Sequence, residues 1–168
     1  DFNLFLYDEG YTAKECATKH NLLAVINAGM YDGNGINMGY MKQYNVLSNP
    51  KLNEDNAILA FNRKSNDVPL IQIIDLKYQS WSELKDKYNS FTQSIRMVDL
   101  MGNNLWSKTE SMWSVAVVAM DKKNNILFIH CRSPYIMHDF VNILMSSDLN
   151  IRNVMYLEGG PEASMYIN

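Results

Sequence analysis

The chain has 168 residues, of which 47% are hydrophobic and 20% charged. That balance suits one domain with a sizeable core and excludes wholesale disorder. The net charge of −3 excludes the broad basic face of a general nucleic-acid binder, so no nucleic-acid partner is expected. Small anionic substrates stay open, because a local pair of arginines binds phosphate even in an acidic protein.

Two cysteines, Cys16 and Cys131, exclude a disulfide-rich scaffold and a four-cysteine metal site. They can pair in an oxidising compartment, but Cys131 sits in an apolar run, and a buried free thiol is the expectation. No apolar run reaches the roughly 18–20 residues of a membrane span. The first residue is Asp1 rather than Met, as in a processed or trimmed chain, and any removed signal peptide leaves no trace here.

In chain order, residues 1–7 read as a strand, and Thr12 to Asn21 as a helix with Thr12 as N-cap. Leu22 to Ile26 reads as a buried strand. It stops at Asn27-Ala28-Gly29-Met30, and Asp32-Gly33 marks a turn. Ala57 to Asn62 and Leu70 to Ile74 read as strands. Trp81 to Tyr88 reads as a short helix capped by Ser80 or Ser82. Ser94 to Leu100 is strand-like, with a hairpin-type turn at Gly102-Asn103-Asn104. Ser114 to Met120 and Ile126 to Cys131 form the clearest hairpin, joined by Asp121-Lys122-Lys123-Asn124-Asn125. Pro134 to Ser146 reads as a helix with Tyr135, Phe140, Ile143 and Leu144 on its apolar face. Val154 to Leu157 is a buried strand, and Ala163 to Ile167 closes the chain. Many short strands with about three helices give a single α+β domain over residues 1–168, with a mixed or antiparallel sheet.

Two strands share one design: a short apolar run ends in small residues and a polar side chain. One ends at Asn27-Ala28-Gly29, the other at Glu158-Gly159-Gly160-Pro161. A strand end holds its last side chain with little freedom, and glycines let backbone N–H groups approach a ligand. By spacing alone both read equally as glycine turns with a capping Asn or Glu. A third place is Cys131-Arg132-Ser133-Pro134 leading to His138-Asp139. A helix starting at Pro134 beside Arg132 would be a natural anion site. His138 reads either as an acid–base group or as a surface or capping histidine. In Gln93-Ser94-Ile95-Arg96, Ser94 and Arg96 share one strand face, and Arg96 is either a second cation or an edge-strand surface arginine. The nucleophile elbow, the P-loop, the zinc helix and the dinucleotide fingerprint are all missing. The loop from Asp32 to Asn37 lacks the spaced carboxylates of a full calcium loop. It offers at most one weak site for a divalent cation such as calcium, and no cofactor is otherwise expected.

Five motifs stand in a fixed order: Asn27-Ala28-Gly29-Met30-Tyr31, Gly39-Tyr40-Met41, Gln93-Ser94-Ile95-Arg96, Cys131-Arg132-Ser133-Pro134-Tyr135 with Met137-His138-Asp139, and Leu157-Glu158-Gly159-Gly160-Pro161-Glu162-Ala163-Ser164. Together they resemble the bacterial branch of the phosphodiester glycosidase family, which includes the lysosomal uncovering enzyme that removes N-acetylglucosamine from mannose 6-phosphate diesters. The resemblance runs from about Leu4 to the end. Better-known members carry Asp-Gly-Gly at the place of Glu158-Gly159-Gly160 and often Gln-Ser-Gly-Pro at the place of Gln93-Ser94-Ile95-Arg96, so this chain resembles a subgroup. Members continue past the last strand, which implies an incomplete C-terminus here.

The resemblance implies a sugar-phosphodiester or other carbohydrate ligand and an extracytoplasmic setting, such as exopolysaccharide or cell-envelope glycan metabolism. Glu158 is the expected carboxylate, Arg132 and Arg96 the phosphate-holding cations, Asn27 the orienting amide, and His138 or Asp139 the water-activating or arginine-positioning group. Gly29, Gln93, Ser133, Gly159, Gly160 and Ser164 are the expected substrate-binding positions. The alternatives are a non-catalytic carbohydrate-binding domain and a structural cell-surface domain of the same fold.

Overall fold

A computed structural model describes residues 1–6 and 10–168. The chain runs α1 (Ala13–His20), β1 (Ala24–Ile26), β2 (Met41–Gln43), β3 (Val46–Asn49), β4 (Asn56–Arg63), β5 (Ile71–Asp75), α2 (Trp81–Leu84), β6 (Tyr88–Val98), β7 (Met112–Asp121), β8 (Ile126–Ile136), α3 (Met137–Ser146), β9 (Ile151–Gly159), a 3-10 turn (Gly160–Glu162) and β10 (Met165–Ile167). Among the described residues the strands pair antiparallel, as expected for the α+β class.

The organising strand is β6. Its first part pairs with β4 on one edge and β2 on the other, and its last residues pair with β9. The order β3-β2-β6-β9-β7-β8, with β5-β4 joined to β6, makes an eight-stranded sheet. Alternation along the strands sorts side chains between faces. Leu59, Phe61, Val118, Met120, Met155 and Leu157 fill one apolar cluster. Val115, Val117, Ala119, Val154 and Tyr156 fill another, beneath α3. A third gathers Ile58, Ala60, Tyr88 and Phe91 against Trp81 and Leu84. On the first face lie α1, the N-terminal Phe2 and Leu4, and the separate ribbon β1-β10.

Local chemistry explains several boundaries. The Thr12 hydroxyl accepts from Glu15 N at 3.2 Å while Glu15 Oε2 accepts from Thr12 N at 2.9 Å, a complete capping box. Asp121 Oδ1 accepts from Lys123 N and Asn125 N, closing the β7-β8 hairpin as expected.

Other expectations are corrected. Residues 1–6 form no strand, since Phe2 and Leu4 pack on the sheet face instead of pairing with an edge, and Tyr7 lies outside the described residues. The strand after α1 covers only Ala24–Ile26 and is half-buried, because its ribbon leaves one side to solvent. The helix at Trp81 ends at Leu84. Tyr88 already belongs to β6, where the burial of Tyr88 and Phe91 overrides the helical reading.

Pro134 does not start a helix. It lies in β8 on the sheet edge, where a missing N–H breaks no ladder. The helix begins at Met137 and buries Met137, Phe140, Val141 and Leu144. Ile143 is half-exposed, and Tyr135 belongs to β8. Cys16 and Cys131 form no disulfide. Cys16 is buried, but Cys131 is only partly so.

Candidate active site

β9 is buried from Asn153 through Leu157 and turns outward at Glu158-Gly159-Gly160. Between the pairs Val117↔Tyr156 and Ala116↔Glu158 the strand gains one residue, a bulge that re-aims its end. Glu158 Oε1 accepts from Gly159 N at 3.0 Å. Gly160 holds φ +70°, a conformation suited to glycine. Gly159 is extended, and its requirement is space: a Cβ there would stand 2.7 Å from Trp113 Cδ1 and inside the Tyr156 hydroxyl. Ser114 Oγ donates to Gly160 O at 2.7 Å, tying the turn to β7.

The second predicted strand end meets this turn. Asn27 Nδ2 donates to Glu162 O at 3.1 Å, and Asn27 Oδ1 accepts from Ser164 N at 2.7 Å. One amide thus joins the two motifs across more than a hundred residues of chain. Its polar atoms are spent on the backbone, so Asn27 shapes the site rather than presenting a free amide. Behind it, Thr92 Oγ1 donates to Ala28 O. Gly29, at φ +147°, rests against Asn37, Thr92 and Gln93.

Gln93 is a buried clamp. Its Oε1 accepts from Tyr40 N at 3.0 Å and Asn53 N at 3.1 Å, and its Nε2 donates to Asn53 O at 3.0 Å. Gly39 is packed so closely that a Cβ would stand 2.7 Å from Gln93 O.

Arg132 reaches the same end of the sheet by register. Cys131, Val115 and Gly159 form one row across β8, β7 and β9, about 10 Å wide at the usual strand spacing. From Cys131 to Tyr135, β8 spends four steps where β7 spends two, so Arg132-Ser133-Pro134 bulge outward opposite Ser114. All three are exposed. Among the described residues no carboxylate lies in ion-pair reach of Arg132. The expected helix start beside it is replaced by this bulge.

Arg96 goes elsewhere. Its guanidinium meets Asp75 Oδ1 at 2.6 Å, with the Asp75 side chain 1% exposed, and lies over the Tyr78 ring. It stands opposite Met155, three residues and about 10 Å back along β9 from Glu158. His138 and Asp139 open α3. His138 Nδ1 lies 3.3 Å from Asp139 Oδ1 and 3.2 Å from Asn142 Nδ2, and His138 O accepts from Asn104. Those partners belong to α3 and the loop before β7, and none joins the Glu158 turn.

The sequence profile of the phosphodiester glycosidase family matches residues 20–168. The chain belongs to that family. Its fold is similar to the catalytic domain of zebrafish N-acetylglucosamine-1-phosphodiester alpha-N-acetylglucosaminidase, solved in a form auto-inhibited by its pro-peptide. The TM-score is 0.72 at 15% identity, over 93% of this chain and 57% of that one. A hypothetical protein from Synechocystis shares the fold at TM-score 0.59 and 11% identity, over 93% of this chain and 49% of that one. The chain therefore spans about half the length of the solved structures it resembles. No curated protein matches it.

Within this phosphodiester glycosidase domain, burial holds the Glu158 carboxyl above the ordinary glutamate range. The Gly159 amide opposes the shift and the nearby Glu162 adds to it. Burial, and then Glu158 itself, push the Tyr156 hydroxyl up to about 12. Tyr31 is raised by burial and by Glu158, against a hydrogen bond from Asn37. Tyr31, Glu162, Tyr156 and Ser114 are site residues that sequence reasoning missed. Tyr31 and Glu162 lie inside quoted motifs, but nothing in their spacing singles them out. Among the described residues, no group of three or more metal-ligating side chains gathers. Asp32 Oδ1 accepts from Asn34 N and Ile36 N, closing its loop. No helix among the described residues is long and apolar enough to cross a membrane.

Proposed function

We propose that this domain hydrolyses the bond between a sugar's anomeric carbon and a phosphodiester oxygen. The observation that carries the reading is the meeting of the Asn27 and Glu158-Gly159-Gly160 strand ends, with Arg132, unpaired among the described residues, at the same sheet end, in a chain of this family.

Such a substrate leaves as a phosphate monoester, a good leaving group, so cations that hold its charge matter more than a strong acid. Arg132 suits that role, its planar fork matching two phosphate oxygens. Water adds to the anomeric carbon, and the C–O bond breaks with its electron pair going to the phosphate oxygen. The ionised Glu158 stabilises the oxocarbenium-like carbon or takes the water's proton. Gln93 and Asn27 hold the loops in place. The same proposal places the domain in an extracytoplasmic setting, in envelope or exopolysaccharide metabolism.

The purified domain should release free sugar from members of a panel of sugar-1-phosphodiesters that includes UDP-sugars, and Glu158→Gln should abolish the release. Failure across the panel, with ligand still bound, would favour a second reading, a non-catalytic carbohydrate-binding domain. One observation supports that alternative: Arg96, the second expected cation, is committed to Asp75.

A further inference from the structure

A chamber of about 610 Å³ lies between the sheet and the layer made by the N-terminal residues, α1 and β1. That size falls in the usual range for small-molecule sites. Its floor is apolar: Leu59, Phe61, Val118, Phe128 and Leu157. The roof includes Leu4, Ala24 and Ile26, the last two on one face of β1. At one end the lining changes character. There Asn27, Tyr31, Thr92 and Ser164 enter it, and Asn27 and Ser164 are the residues bonded to each other beside the Glu158 turn. The chamber and the candidate site thus share a wall.

The outer lip is also apolar. Leu23 is 84% exposed and Ile167 is 68% exposed. They flank the same ribbon, since Ile167 pairs with Ala24 and Leu23 O accepts from Asn168 N. Paired positions share a face, so Ile167 lies on the side of Ala24 and Leu23 on the other.

We propose that this chamber takes the alcohol substituent of the phosphodiester, and that the substituent is a long hydrocarbon, making the substrate a lipid-linked glycosyl phosphate. The inference rests on the reading of the Glu158 turn as the site. A phosphodiester has two arms. With the sugar arm at the Glu158 turn and the phosphate toward Arg132, the other arm leaves along the shared wall. A nucleoside or sugar laid on the floor would bury hydroxyls against leucine and phenylalanine, which offer no partner, and that is costly; the polar groups of Asp1, Asn3 and Asn21 come from the N-terminal residues and the end of α1 instead. A hydrocarbon gains from every methylene it hides. Leu23, itself part of the lining, extends the apolar surface at the chamber's edge.

Two measurements test this. Dodecyl phosphate, below its micelle threshold, should bind at least 100-fold more tightly than ethyl phosphate by titration calorimetry. Ala24→Phe, which fills the roof, and Leu59→Trp, which fills the floor, should each remove at least tenfold of that preference. Equal binding of the two phosphates, or a preference unchanged in a folded filled variant, overturns the inference. In turnover, an isoprenyl-phosphate diester should exceed the methyl-phosphate diester of the same sugar at least tenfold in kcat/KM. The two variants should lower only the isoprenyl value. Turnover without chain-length preference overturns the chamber and leaves the hydrolase reading standing. Chain-length-dependent binding with no turnover of either diester overturns the hydrolase reading and leaves the chamber as a lipid-phosphate site.

Discussion

Tyr156 and Gly159 lie in such close contact that the glycine has no room for a side chain. A Cβ on Gly159 would fall inside the Tyr156 hydroxyl and 2.7 Å from the Trp113 ring. The turn that carries Glu158 is therefore held by packing from below, while the Ser114 hydroxyl holds Gly160 from the side. Gly159→Ala should cost about 1–3 kcal/mol through overpacking and lower Tm by several degrees. Turnover should fall more than tenfold, because Glu158 moves with the turn. An alanine variant with unchanged Tm and rate would show that the turn tolerates displacement.

Glu158 gives a pH signature. Its carboxyl is raised above the ordinary glutamate value of 4.5, chiefly by burial. In the window above that value the folded protein binds more protons than the unfolded chain. Stability from protonated Glu158 is full below the unfolded pKa and is lost as pH rises through the folded one. Glu158→Gln carries no such loss. Its denaturation midpoint relative to the parent should therefore be higher at about pH 7 than at about pH 4. The same shift should place the acid limb of kcat/KM above the ordinary glutamate range, since the proposed role needs the ionised form. A pH-independent midpoint difference would contradict the shift.

Arg132→Ala should abolish release of sugar from a phosphodiester while leaving the fold intact. The side chain is exposed and pairs with no carboxylate among the described residues, so its removal strands nothing, and surface changes of this kind stay within about 0.5 kcal/mol. Arg132→Lys should recover only part of the activity, because a lysine offers a point charge instead of a planar fork. Circular dichroism melts and a sugar-release assay on the two variants check both halves.

Several of these features were legible in the sequence, and their partners were not. The capping box of Thr12 and Glu15 and the Asp121 hairpin follow from local chemistry, and both stand in the structure. The largely apolar runs of β4, β5, β7 and β9 gave strands, because burial on both faces needs no distant information, while residues 1–6 pack without pairing and the short β2 and β3 carry no such run. Pro134 misled, since the same locked ring suits a helix start and an edge strand. Only the pairing of β8 with β7 decides between them. Arg96 and Gln93 misled for a related reason. A buried arginine needs a carboxylate, and Asp75 lies 21 positions away in sequence. The partners of Asn27 are more distant still. Two of the five motifs, at Asn27 and Glu158, mark where strands end, while the Gln93 and Arg132 motifs lie within β6 and β8, and the division between groups that face a ligand and groups that hold loops depends on those remote contacts.

Arg96 tests that division. Arg96→Met leaves the buried Asp75 carboxyl without its cation, which costs about 3–5 kcal/mol. At about 2–4 °C per kcal/mol, Tm should fall by about 6–20 °C. Adding Asp75→Asn removes the carboxylate and keeps one oxygen, enough for one of the Lys77 and Leu100 amides, which Asp75 now serves with separate oxygens. The double variant should regain most of the stability and, if Arg96 only supports the fold, most of the turnover. A double variant that is stable but inactive would return Arg96 to the phosphate.

Gln93 offers the sharpest separation of support from contact. Gln93→Leu deprives the Tyr40 and Asn53 amides of their acceptor, at about 1–3 kcal/mol for each stranded group. Gln93→Glu restores an acceptor to both amides, but turns a carboxylate toward Asn53 O, which now receives the Nε2 bond. The glutamate variant should protect Tyr40 N–H from hydrogen exchange better than the leucine variant, while both expose the Asn53 loop. Turnover should follow exchange protection, because Gly29 and Gly39 pack against the Gln93 backbone and the site loop loosens with them. Loss of turnover in a variant whose Tyr40 and Asn53 amides remain protected would mean that the side chain touches substrate.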